Sequence, residues 1–370
     1  MKRLALAAGL VLATSGFACS GLLGLQEPTI DDTLGDASSD AADGATGDAP
    51  AEAAPDAGGP VQLFNARVRR IALDDTSVYY TEMFDFVVGR VGKDGTGQIA
   101  LANGSAVTGY YPNTIAVDAT DVFWTSVAGV HQCAKTGCGN APIHVIDDNS
   151  TWSPGSLAID ATTIYFVNYD SNAPSGQEYS IQKVPKGAAN GTVTALAAAA
   201  ALPCATINRM KLYGSYLYIT CDEGPVARIP TSGGAFEVLS NAAAPPGADS
   251  FVADTSSIYY GQFLEQASLF QMPIQADAGA TTIALTQPYV NGMDVDGNYL
   301  YWATVGVSLD NGAGAVVRCP LSGCASNVQK VAGNIDIPTD LALDSTTIFW
   351  AANGNGDTPN TGVWKMTKPQ

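Results

Sequence analysis

Four residues stand out first. His131, Cys133, Cys138 and His144 have the composition of a Cys₂His₂ zinc site. They include both histidines of the chain, so a histidine-dependent catalytic triad has almost nothing to build on. No Gly-x-Ser-x-Gly elbow, phosphate loop or dinucleotide fingerprint occurs. The other chemistry available is that of side-chain oxygens. Asn168-Tyr169-Asp170-Ser171-Asn172 with Glu178, Ser308-Leu309-Asp310-Asn311, and Asn353-Gly354-Asn355-Gly356-Asp357 are oxygen-rich segments. Ca²⁺ is the cation such oxygens suit, although none has EF-hand or RTX spacing. Phe84-Asp85-Phe86 and Phe263-Leu264-Glu265 are mixed aromatic and acidic patches.

The elements that must position these residues form a repeat. An aliphatic residue, Asp, a short polar turn, an aliphatic residue and an aromatic recur as Leu73-Asp74 to Tyr79-Tyr80, Val117-Asp118 to Phe123-Trp124, and Ile159-Asp160 to Tyr165-Phe166. Leu212-Tyr213 to Tyr218-Ile219, Ala253-Asp254 to Tyr259-Tyr260, Val295-Asp296 to Tyr301-Trp302 and Leu343-Asp344 to Phe349-Trp350 complete seven copies. Successive copies are 44, 42, 53, 41, 42 and 48 residues apart, a spacing typical of propellers or solenoids. Six copies keep the aspartate and Tyr213 replaces it in the fourth. Asp starts a strand-to-strand turn well, because its carboxylate reaches backbone N–H groups two residues on. The turn explains these aspartates without an active site.

A third run follows each pair, such as Val88 to Val91, Val226 to Pro230 or Val316 to Pro320. A glycine-containing turn and a fourth short run come next, such as Gln98 to Leu101 or Phe236 to Leu239. Four strands per repeat make a propeller blade. The seventh repeat stops after its third strand, Gly362 to Met366, while Pro60 to Asn65 precedes the first repeat and matches a fourth strand. That segment is expected to pair into the last blade and close the ring, which removes two open sheet edges. The predicted fold is therefore all-β, a seven-bladed propeller of four-stranded antiparallel blades over residues 60–370, closed by an N-terminal strand.

The repeat also decides between zinc and disulfides. Cys133-Ala-Lys-Thr-Gly-Cys138 and Cys319-Pro-Leu-Ser-Gly-Cys324 occupy the same place in blades two and six. In blade six Val317 and Lys330 stand where His131 and His144 do, yet both cysteines remain. A four-residue hairpin loop puts its flanking residues opposite each other, within disulfide range. Cys204 and Cys221 then pair by elimination. The pattern predicts three disulfides and no metal at the cysteines.

The ends and the charge describe the setting. Lys2 and Arg3 precede an apolar stretch, Leu4 to Ala18, too short to remain as a spanning helix. Gly16-Phe17-Ala18-Cys19-Ser20 resembles the bacterial lipobox, which implies cleavage before Cys19 and its lipidation. Residues 1–19 are thus a signal peptide. Residues 20–59 are an acidic Ala/Asp-rich tether; from residue 27 to 59 there are nine acidic side chains and no Lys or Arg, too little apolar surface to fold. Residues 60–370 hold 26 acidic and 15 basic residues, which leaves no basic stripe for nucleic acid.

The doublets Tyr301-Trp302 and Phe349-Trp350, with Arg318-Cys319-Pro320-Leu321-Ser322-Gly323, resemble the YWTD repeats of lipoprotein-receptor propellers. That family has six blades, and its Thr-Asp is replaced here by Thr125-Ser126 and Ala303-Thr304. The chain also resembles uncharacterised secreted bacterial propeller lipoproteins with an Asp/Ala-rich tether. Neither resemblance implies catalytic residues. The expectation is a lipid-anchored, exported monomer, at an outer membrane, cell surface or periplasm, that binds a protein or glycan without catalysis or a cofactor. The alternative is a carboxylate- or Ca²⁺-dependent hydrolase or lyase with its site in the central channel. Binding residues are expected in the loops between second and third strands: Phe84, Asp85, Phe86, Tyr169, Asp170, Asn172, Phe263, Glu265, Asp310, Asn311, Asn355 and Asp357.

Overall fold

Each blade grows from its aspartate turn. In the computed structural model, which describes residues 58–104, 111–147, 152–222, 224–240, 248–265, 267–275, 279–284, 286–306, 312–324, 327–354 and 360–370, the Oδ1 of Asp74 accepts the N–H groups of Thr76 and Ser77 at 2.9 and 2.8 Å. Asp118, Asp160, Asp254, Asp296 and Asp344 repeat this pair of bonds. In the fourth copy, Tyr213 is followed by Gly214 at φ 59°, so backbone freedom takes the place of the carboxylate.

A closing strand, β1 (Val61–Phe64), comes first. Blade one is β2 (Val68–Leu73), β3 (Ser77–Glu82), β4 (Val87–Gly92) and β5 (Ile99–Asn103). Blade two is β6 (Ile115–Val117), β7 (Asp121–Ser126), β8 (Gly129–Ala134) and β9 (Ile143–Asp147). Blade three is β10 (Trp152–Ile159), β11 (Thr163–Asp170), β12 (Tyr179–Pro185) and β13 (Thr194–Ala197). Blade four is β14 (Ile207–Tyr213), β15 (Tyr216–Cys221), β16 (Val226–Pro230) and β17 (Glu237–Val238). Blade five is β18 (Ala248–Ala253), β19 (Ser257–Gln262), β20 (Leu269–Pro273) and β21 (Thr281–Ala284). Blade six is β22 (Val290–Val295), β23 (Tyr299–Thr304), β24 (Gly314–Pro320) and β25 (Gln329–Ile335). Blade seven is β26 (Pro338–Leu343), β27 (Thr347–Ala352) and β28 (Gly362–Thr367), completed by β1.

The sheets are seven separate four-stranded antiparallel meanders, so the expected propeller and its closure are both present. Val61 pairs with Lys365, Gln62 with Trp364 and Phe64 with Val363. Apolar residues of the second strands fill the space between blades. Trp124, Trp302 and Trp350 are almost completely buried there, as are Phe123, Phe166 and Phe349.

The blades are also tied by a cation that follows the third strand. Lys93, Lys135, Lys186 and Lys368 reach back to the turn aspartate of the preceding blade, at 2.9 Å (Asp344), 2.8 Å (Asp74), 2.7 Å (Asp118) and 3.0 Å (Asp296). Each ammonium lies 4.8–5.7 Å above an aromatic ring of that same blade: Phe349, Tyr79, Phe123 and Tyr301. Thr231, Ile274 and Leu321 stand at this position in the other blades, as their equivalent backbone bonds to Ser215, Ser256 and Asn298 show. Ile274 faces the one blade without a turn aspartate, and it and Tyr213 pack against the same apolar cluster.

All three disulfides form, with Cα separations of 5.5 Å (Cys133–Cys138), 6.1 Å (Cys204–Cys221) and 4.9 Å (Cys319–Cys324). The hairpin geometry expected for two of them needs correction. Cys138 and Cys324 lie in the connecting loops, ahead of β9 and β25, so the bonds cross-link a loop to the third strand rather than two ladder partners. Opening the Cys133–Cys138 ring, whose cysteines are five positions apart, by a double alanine substitution is expected to cost about 2 kcal/mol, because only a short loop is closed. Urea denaturation of the oxidised full chain measures it. Both sulfurs being bonded also removes the thiolates from any zinc site. His131 instead hydrogen-bonds Ser126 Oγ through Nε2 at 2.8 Å and His144 through Nδ1 at 3.1 Å.

Candidate functional site

The seven innermost strands line a central channel, and most of them break register near their first residues. Bulges fall between Val68 and Arg70, Pro154 and Leu157, Ile207 and Arg209, Ala248 and Ser250, Val290 and Met293, and Pro338 and Asp340. A bulge inserts an unpaired residue and re-aims its side chain. These register breaks all fall at one end of the inner strands. That end also carries the loops between second and third strands, where the sequence placed the binding residues.

Those residues form three patches on different blades. In blade one the Arg67 guanidinium pairs with Asp85 at 3.1 Å and lies 5.0 Å above the ring of Phe84, which is 44% exposed. Phe86 meets Tyr111 edge to face at 5.5 Å. Glu82, beneath them, is buried; burial and then the Asp85 charge push its pKa up to about 7, against the pull of Arg67. In blade three Tyr169 is 39% exposed and packs on Tyr179 at 5.2 Å, while Asp170 Oδ1 accepts the N–H of Asn172 as a turn former. In blade five Phe263 packs on Tyr289 at 5.1 Å beside the exposed Leu264, and Glu265 lies in the same loop. Asp310, Asn311, Asn355 and Asp357 lie outside the described residues, as do Cys19, the leader and residues 20–57 of the tether.

The channel holds a group of charges that the repeat did not point to. A cavity of about 350 Å³ is lined by Arg70, Arg209, Lys211, Asp294 and Asp340 together with apolar residues of the inner strands. Its two carboxylates are structural. Asp294 accepts the N–H groups of Val295 at 2.8 Å and of Leu343, in the next blade, at 2.9 Å. Asp340 does the same for Leu341 at 3.1 Å and for Ile71 of blade one at 3.0 Å. Each stitches its blade to the following one. Burial lowers the Lys211 pKa and raises that of Asp294, and each charge partly restrains the shift of the other.

At the mouth a second cavity of about 400 Å³ is lined by Arg69, Asn113, Ser156, Tyr169, Asn208 and Arg209, among others. Arg69 and Asn208 are the extra residues of their bulges. Arg69 Nε donates to Asn113 Oδ1 at 2.8 Å. Among the described residues Tyr169 is thus the one predicted residue that lines this cavity, and the cations around it were missed. The available signal was polar residues, Arg69-Arg70, Asn208-Arg209 and Lys211, interrupting apolar inner strands. Among the described residues no group of three or more His, Cys, Asp or Glu side chains converges as a metal site would require.

No family model matches the chain, and no curated protein matches it. Solved structures do. A streptogramin B lyase structure is similar at a TM-score of 0.59 and 13% identity, over 84% of this chain and 97% of that one. Virginiamycin B lyase from Staphylococcus aureus gives 0.59 and 13%, over 84% and 98%. Oligogalacturonate lyase from Vibrio parahaemolyticus gives 0.56 and 10%, over 84% and 94%. At such identities the likeness is one of fold: this chain is a seven-bladed β-propeller. Its three disulfides suit an oxidising compartment. No helix among the described residues is long and apolar enough to cross a membrane.

Proposed function

We propose that this protein is an exported, lipid-anchored, monomeric propeller that binds a glycan or a protein through its loop face and catalyses no reaction. The observation that carries the reading is the loop face itself. Phe84, Tyr111, Tyr169 and Phe263 hold their rings 39–46% exposed on a disulfide-braced scaffold, around a channel mouth that is cationic. Aromatic residues held open on a rigid frame cost water contacts and return binding area. The channel supports this over the carboxylate-enzyme alternative, because Asp294 and Asp340 both spend their oxygens on strand N–H groups. Lipidation at Cys19 and the acidic tether would hold the propeller away from a membrane.

A glycan array probed with the full chain tests the binding. The triple variant Phe84→Ala/Tyr169→Ala/Phe263→Ala is expected to lose its hits by tenfold or more, as removal of aromatic anchors does. Its thermal midpoint should stay near that of the parent, since these rings are exposed. Hits that persist unchanged in the variant would place binding elsewhere.

A further inference from the structure

The mouth cavity is built for a negative charge. Arg69 and Arg209 both line it and, among the described residues, no carboxylate does, in a chain of net charge −18. Beyond the bond from Nε to Asn113, the terminal nitrogens of Arg69 meet no acceptor among the described residues. Burial and the adjacent Arg70 pull the Arg69 pKa down to about 10, with Asp340 opposing. The Asp340 oxygens are already engaged by Ile71 and Leu341. A guanidinium crowded by a like charge, with a free fork of donors, is matched by a planar two-oxygen anion.

Two further features make the occupant more than a bare ion. Asn208 Nδ2 is buried without any hydrogen-bond partner, a donor that wants an oxygen. Tyr169 and Tyr179 form an aromatic wall, 39% exposed at Tyr169, against which a ring can lie. The volume of about 400 Å³ falls in the range of small-ligand pockets, roughly 300–1,000 Å³. We infer that the cavity between blades one to four binds the carboxylate of an acidic sugar, a uronic-acid unit of a glycan: Arg69 holds the carboxylate, Asn208 takes a ring or hydroxyl oxygen, and Tyr169 covers the sugar face. This rests on the loop face being a glycan-binding surface.

Calorimetric titration of the full chain with a tri-uronate, its methyl ester, a neutral tri-hexose and inorganic phosphate tests it. The tri-uronate is expected to bind at least tenfold tighter than the ester or the tri-hexose, and phosphate is expected not to displace it. Arg69→Gln should remove that preference, Arg69→Lys should restore part of it, and exposed Tyr169→Ala should weaken the acid and ester alike. Equal affinity for acid and ester overturns the inference, as does displacement by phosphate at matching affinity or an unaltered preference in Arg69→Gln. Should neutral sugars bind as well as the acid, the carboxylate site fails and the glycan-binding face stands. Should no sugar bind the full chain at all, both fail.

Discussion

Replacing Gly362 by alanine should open the ring. Gly362 begins β28 at φ 104°, where the closing strand crosses it, and a Cβ there would sit 1.9 Å from the carbonyl oxygen of Phe64. An unfavourable φ alone costs about 1–3 kcal/mol, and that clash with backbone has no flexible side chain to give way. The variant is expected to lose at least about 3 kcal/mol in denaturant unfolding. Gly214→Ala is the control. It also has positive φ, 59°, but nothing lies within 4 Å of its Cβ position, so its cost should be near 1 kcal/mol. Removing residues 1–65 should cost as much as Gly362→Ala, and combining the two should add little. A Gly362→Ala variant as stable as Gly214→Ala would mean that β1 does not carry the closure.

The second large effect is loss of stability in acid. Burial alone would raise the pKa of Asp74, but Lys135, the turn N–H groups and Tyr79 together hold it well below the carboxylate range. Asp118, Asp160, Asp254, Asp296 and Asp344 are likewise lowered, their turn N–H groups and, for Asp118, Asp296 and Asp344, a directly bonded lysine outweighing burial. A depressed carboxylate stabilises the fold above its unfolded pKa, near 4, and loses that contribution as pH falls through its folded value. His131 acts earlier. Burial, and then His144, lower its pKa to about 3, so the unfolded chain gains a proton first as pH falls below about 6.5. Glu82, raised to about 7, takes up its proton in the folded state over the same range and offsets His131, so stability should change little between pH 6.5 and 4.5 and fall steeply below pH 4. Lys135→Met should soften the steep limb, whereas a variant curve that overlays the parent would show that the inter-blade pairs contribute nothing. Calorimetric melts at stepped pH read the plateau and the limb.

The ring was legible because every blade repeats its own local physics. The turn aspartates act within three residues of themselves, and the closing strand keeps the pattern of a fourth strand, so a period of 41 to 53 residues was enough to count and close the blades. The cysteines were legible as pairs for the same reason. Their place relative to β9 and β25 was not, because the end of a short outer strand leaves little trace in sequence. The lysine ties escaped notice because Lys135 and Asp74 are 61 residues apart and belong to different copies.

The candidate site was only half visible. Phe84, Tyr169 and Phe263 broke the repeat and could be picked out as loop residues. Arg69, Asn208 and Arg209 sit inside strands that an alternating pattern assigns to core or blade faces. A bulge shifts that alternation by one residue, and with it which side chain turns to the channel. No propensity marks a bulge whose extra residue is Arg or Asn. The period therefore located the strands and lost the parity at their first residues.

Hydrogen–deuterium exchange of the full chain, with and without the glycan selected on the array, tests the central claim that the loop face is the binding surface. Slowed exchange is predicted at residues 111–114, 168–179 and 207–210, where the entering loops and the blade-three loop surround the mouth. Protection confined to the aspartate turns at the opposite end of the channel, residues 74–77, 254–257 and 296–299, would contradict it.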